Sequence, residues 1–262
     1  MTKKDKGGAG DGVFTCEDRF DTMMTCIYQA WASRVGHANV KLELEPVEEP
    51  ELFCNYHHVE ADVEKANSVV RAVQNKISRR AYRMVYGASL SSQREKMDAI
   101  YRFLVVGFHV GAKVVDLLAN PHVNKLFQLE RKVQNEAHYF REFTRFSRVE
   151  GREILWAKIE PSSDILTILA PHFADRMPSE AWMIVDATRM TAAVHKEDGE
   201  YYLTKITRDE LYYMEERRGQ SDLYTELWKT FFHTVGIAQR KNPECQRTML
   251  PLWLRKNMTE FL

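Results

Sequence analysis

His172, Asp175 and Arg176 fall within the stretch APHFADR, three and four positions apart. On a helix that spacing places all three on one side. An imidazole oriented by a carboxylate beside a cation can move a proton or hold a phosphate. The same residues also suit a helix C-terminus, whose carbonyl dipoles favour His and Arg. A second carboxylate, Asp186, ends the apolar run WMIV, and Arg189 follows three residues later. A strand end would hold Asp186 rigidly enough for acid–base work, yet Asp-Ala-Thr-Arg is also a good turn sequence. His172 and Asp186 are therefore the candidate catalytic pair.

The cations form a second group. Phe143, Arg145, Ser147 and Val149 alternate, so on a strand they share one face and the Arg145 guanidinium is partly desolvated. It needs either a phosphate or an internal acid, with Asp175 and Asp186 as the candidates. Residues 71–83 carry Arg71, Lys76, Arg79, Arg80 and Arg83 without an acid, and residues 239–257 carry five cations against Glu244. Such patches suit a polyanion, with Tyr82 and Trp253 in reach for stacking on bases; they equally suit solvated helix faces. The candidate phosphate contacts are Arg145, Arg176, Arg189, Arg240, Lys241 and Arg247. Asn242, Pro243 and Gln246 would shape the tail around them.

Other chemistries find less support. Lys plus Arg and Asp plus Glu are both 37, so any nucleic-acid surface has to be a local patch. Cys54, His57 and His58 in CNYHH have metal-ligand types but lack a second spaced pair, so no metal is expected. Nucleotide-cofactor and hydrolase fingerprints such as GxGxxG, GxxxxGK[ST], HExxH and GxSxG do not occur, and no cofactor is expected. The four cysteines are scattered, which fits a reducing cytoplasm. The most apolar run, residues 103–115, is broken by His109 and Lys113, so no membrane span is expected.

Two periodicities describe the elements that must position these groups. Residues 1–12 read as a charged, glycine-rich, disordered leader, and VFTC at 13–16 as a short strand. NVKLELE alternates like a half-exposed strand, inside an acidic segment (41–66) with eight acids and two lysines. Apolar residues then recur at helical spacing from about 60 to 140, with a helix stopped by Ala119-Asn-Pro121. Between 141 and 206 the period switches to two. A hairpin turning at Glu150-Gly151 is followed by a helix over DILTILAPHFADRM and three strands, AWMIVDA, RMTAAVHK and YYLTKI. Helices resume from 209 to 262. The expected fold is α+β in one domain, 13–262. It has a helix-rich N-terminal half and a mainly antiparallel sheet of four or more strands packed by helices.

Four blocks carry a resemblance: VQNEAHYFREFTRF (133–146), WAKIEPSSDILTILAPHFADR (156–176), WMIVDATR (182–189) and LWKTFFHTVGIAQRKNPECQRTMLPLWLRKNM (227–258). From about Phe14 to Leu262 the chain resembles a bacterial family of DNA metabolism or DNA repair proteins built on a domain of unknown function. The resemblance implies DNA as a partner. It also implies a radical S-adenosylmethionine protein related to spore photoproduct lyase, since such proteins accompany the family. A related domain is fused elsewhere to a uracil-DNA glycosylase-like domain. This chain has neither glycosylase motifs nor an iron–sulfur CxxxCxxC, so those activities would belong to partners. Leu252-Trp253-Leu254 departs from the aromatic-rich segment usual at that position. The implied role is a DNA repair or DNA metabolism accessory protein. The alternatives are an enzyme acting on a nucleotide or nucleobase, with Arg145, His172 and Asp186 meeting in one pocket, or a protein-interaction scaffold.

Overall fold

Apolar alternation and helical spacing account for most of the elements. The computed structural model describes residues 12–52, 54–149, 153–217, 223–235 and 242–261. They belong to two compact units, Met1–Gln134 and Asn135–Leu262. The leader and the Glu150-Gly151 turn lie outside the described residues.

The first unit is built around β1 (Gly12–Cys16), which is buried along its whole length. It is the central strand of a three-stranded sheet, flanked by β2 (Val40–Leu44) and β3 (Asn55–His58), and both pairings are parallel. Parallel neighbours need a long connection, and α1 (Phe20–Ala32) provides it between β1 and β2. Val40, Leu42 and Leu44 are buried while Lys41 and Glu43 are half-buried, as the alternation of NVKLELE requires. Next come α2 (Val63–Ala72), a π-helical turn (Val73–Ile77), α3 (Arg79–Ser89) and α4 (Lys96–Val110). They close one core with Met23, Met24, Ile100, Phe103 and Leu104. Gly111, at φ 69°, ends α4 and starts a 3-10 turn (Gly111–Asp116), so the apolar stripe read through Leu118 breaks earlier than expected. Asn120 Oδ1 accepts from His122 N at 2.9 Å, and Pro121 opens α5 (Pro121–Phe143), where its missing N–H has no helical partner to lose.

The acidic segment is partly structured. Lys41 pairs with Glu43 and Glu51, and His58 with Glu45 at 2.6 Å. His57 packs its ring against Phe14 at 5.1 Å. No group of three or more metal-ligating side chains converges among the described residues.

In the second unit, β4 (Ser147–Arg148), β5 (Leu155–Ile159), β6 (Trp182–Asp186), β7 (Thr191–His195) and β8 (Tyr201–Lys205) form one sheet in sequence order. The class is α+β, but the expected mainly antiparallel sheet is corrected to a mixed one: β5 and β6 run parallel. The reason is α6 (Leu166–Arg176), which returns the chain to the start of the sheet before β6 begins. The three parallel strands of the first unit extend the same correction.

Register sorts the side chains onto two faces. Ala157, Ile159, Trp182, Ile184, Asp186, Ala193 and His195 share the face packed by α6. Trp156, Lys158, Val185 and Ala192 share the other, where Trp156, Val185 and Ala192 meet Val149 and Met214 of α7 (Arg208–Glu216). The remaining elements are α8 (Leu223–Thr234), α9 (Pro243–Met249) and 3-10 turns at Leu252–Asn257 and Thr259–Phe261.

Trp182 has no solvent exposure, stacks on His195 at 4.9 Å and meets Phe173 at 6.3 Å. Trp182→Ala should cost about 3–5 kcal/mol by emptying this site, read as a lower urea midpoint for the unit; an unchanged midpoint contradicts the packing.

Candidate functional site

The β6 run ends in Asp186 because a turn must follow, and the carboxylate builds that turn. Asp186 Oδ1 accepts from Thr188 N at 2.9 Å and Arg189 N at 3.2 Å, and Oδ2 accepts from Arg189 Nη1 at 3.0 Å. Arg189 also donates to the carbonyls of Pro161 and Ser162, just past the end of β5. One guanidinium thus ties together the carboxyl ends of two parallel strands. The Asp186 side chain has no solvent exposure, and burial pushes its carboxyl above the ordinary range against the pull of Arg189 and the backbone donors. A carboxylate so placed orders a turn and has no open side toward a substrate.

Arg145 follows the end of α5 and makes an internal ion pair, with Glu260. Nη2 reaches Oε1 at 2.7 Å and Nε reaches Oε2 at 3.3 Å, while Nη1 donates to the Glu142 carbonyl at 3.1 Å. The guanidinium lies 5.6 Å from the Trp228 ring, a cation–π arrangement. Burial works to raise the Glu260 carboxyl, but Arg145 and Trp228 outweigh it and hold the carboxyl below the usual range. Arg145 shares a cavity wall with Trp156 and Lys158, on the face opposite Asp186. Arg145 and Asp186 therefore do not converge.

His172 belongs to a third, separate group. It is half-buried on α6, and burial lowers its pKa first, followed by the fields of Arg141 and Arg176; Asp175 opposes them. These fields and the burial favour the neutral imidazole. Arg141 comes from the end of α5 and donates to the Ile168 carbonyl at 3.4 Å, while its buried Nε has no acceptor among the described residues. Arg176 is exposed and makes no ion pair or hydrogen bond among the described residues. Among the described residues, the guanidinium groups of Arg141 and Arg176 and the carboxylate of Asp175 thus gather around the imidazole.

The tail starts a helix. Asn242 Oδ1 accepts from Cys245 N at 3.0 Å as the N-cap of α9, and Pro243 takes the first helical position. Gln246 is exposed, and its backbone N–H closes the first turn on the Asn242 carbonyl at 2.9 Å. Arg247 is exposed apart from Nε, which donates to Pro243 O. Arg240 and Lys241 lie outside the described residues. Trp253 is 42% exposed and rests its ring against Phe140.

A family model described as a domain of unknown function, DUF4130, matches residues 94–260, from just before α4 to the last 3-10 turn. The chain belongs to that family. No curated protein sequence matches it significantly. Within the DUF4130 match lie all three groups described above, together with two residues that sequence reasoning passed over. Glu260 gave no local signal, since its partner is 115 positions away. Arg141 did have one, because α5 brings it to the helix end and the APHFADR helix follows closely in sequence.

Glu260→Ala should destabilise the second unit by about 3 kcal/mol, because it leaves Arg145 part-buried without its acid. Since the folded-state carboxyl lies below its unfolded value of about 4.3, its contribution is present above that pH and is lost as pH falls through the folded value. Glu260→Gln should flatten this acid limb in urea titrations from pH 3 to 6, and an unaltered limb counts against the pairing.

Proposed function

We propose that this chain is an accessory protein of DNA metabolism or repair, binding nucleic acid and working with a radical S-adenosylmethionine partner enzyme. The sequence blocks quoted above supply the pathway. The observation that carries the contact is the gathering of Arg141, Arg176 and His172 around α6, with Asp175 the acid beside them among the described residues. Arg176 is an exposed guanidinium with no ion pair among the described residues and can meet a phosphate with little cost to the fold, with the half-buried Arg141 beside it. Of the six candidate cations, Arg145 and Arg189 already hold buried carboxylates, whereas Arg176 and Arg247 keep their charge toward solvent.

An accessory role also fits the state of the acid–base candidates. Asp186 is occupied by its turn, and His172 has no part in the cavity that contains Arg145. On α8, Leu227 and Phe231, with Val235 just beyond, repeat every four residues and are each 55% exposed. An apolar stripe of this kind suits a protein partner.

Anisotropy titrations with labelled single- and double-stranded DNA at 50 and 200 mM salt test the reading. Binding should be present at low salt and weaken steeply at high salt. Arg176→Ala should lower the log–log salt slope by about 1 without a loss of stability, and Arg141→Ala should lower it by a similar amount. No binding to either DNA at low salt would refute direct contact.

A further inference from the structure

The α7-side face of the β4–β8 sheet opens into a small cavity of about 210 Å³, lined by Arg145, Ser147, Trp156, Lys158, Glu215 and Asn257. That is below the roughly 300 Å³ where sites for drug-sized ligands begin, so it takes a single ring system and excludes a whole dinucleotide. Its full charges are already matched. Arg145 is held by Glu260, and Lys158 by Glu215 at 2.7 Å and Glu160 at 3.3 Å. Glu160 also receives Lys256 at 3.5 Å, which makes three cations against three acids. A phosphate would have to break one of these pairs. An uncharged group with its own donors and acceptors would not.

The uncharged part of the wall has capacity to spare. Trp156 is 3% exposed, and its indole Nε1 is buried without an acceptor among the described residues. An unmade hydrogen bond of that kind is unfavourable, so the fold carries a penalty at this wall. The Asn257 amide, on the last turn before Met258, has no partner among the described residues either. Glu215 accepts Lys158 through Oε1. An indole in the wall beside an amide and a carboxylate is a combination that can read the edge of a heteroaromatic ring. A neighbouring crevice shares Arg145, Lys158 and Asn257 and leads to the half-exposed Trp253, another ring on which a base can stack.

We propose that this cavity receives one unstacked nucleobase, with Trp156 as its aromatic wall and Asn257 and Glu215 reading its polar edge. The proposal rests on the nucleic-acid reading above, and the base can come from a strand or from a free nucleoside. In this 262-residue chain, the five tryptophans give five indole N–H resonances in a ¹H–¹⁵N spectrum, and Trp156→Phe identifies that of Trp156. A short single-stranded oligonucleotide of mixed sequence should move the Trp156 resonance, and Asn257→Ala should weaken that saturation about five- to ten-fold. If Trp156→Phe fails to fold, sequential backbone assignment identifies the resonance instead.

Free thymidine, deoxycytidine, deoxyadenosine and deoxyguanosine form the second arm. A shift with a nucleoside but no oligonucleotide binding supports the cavity and removes the nucleic-acid reading. Oligonucleotide binding that leaves the Trp156 resonance in place overturns the cavity proposal and leaves nucleic-acid binding intact. No response in either arm overturns both.

Discussion

Glu260 has a side chain only 1% exposed to solvent, and much of the C-terminal structure follows from what neutralises it. A lone carboxylate taken out of water is unstable by several kcal/mol, so the last 3-10 turn can close only where a cation waits. Arg145 is that cation. Once it is in place, Trp228 lies over the guanidinium, Phe232 packs on Phe261 at 5.4 Å, and Arg255 sits 4.8 Å from the Phe261 ring. A single charge pair thus brings α8 and the final turns together with the entry to the sheet.

That constraint divides the cations by role. Guanidinium groups that hold buried carboxylates, Arg145 and Arg189, cannot let go of them without unfolding what they hold. Those beside His172 hold no carboxylate among the described residues: Arg176 is exposed, and the half-buried Arg141 donates to the Ile168 carbonyl. The proposed DNA contact therefore falls on α6 and the end of α5, and the proposed nucleobase cavity sits next to the structural cation. Two arginines that look alike in sequence differ in their surroundings: Arg145 pairs with an acid 115 positions away, and Arg176 makes no ion pair among the described residues.

Much of the fold was legible from periodicity. β2 follows apolar alternation, β5 to β8 fall on the four strand segments read between 154 and 206, and α6 falls within DILTILAPHFADRM. β3 was not legible, because Asn55–His58 is an edge strand of polar residues with no buried face to imprint a pattern. The parallel pairing of β5 and β6 was available in principle, since a helix lies between the two strands, but the sheet was read as mainly antiparallel. At the candidate site, the turn around Asp186 was one of two stated options and the internal pair for Arg145 another. The acid chosen for Arg145 was wrong because long-range pairing leaves no trace in local spacing. The side-by-side placement of His172, Asp175 and Arg176 was legible because a helix sets it over one turn.

The division of the cations is tested most directly by comparing Arg176→Met with Arg189→Met, measuring urea stability and DNA affinity per folded molecule for both. The account predicts that the Arg176 variant keeps its stability and loses DNA affinity several-fold. The Arg189 variant should lose about 3 kcal/mol of stability while its folded fraction binds DNA as before. Equal stability loss in the two variants, or an affinity loss confined to the Arg189 variant, would contradict it.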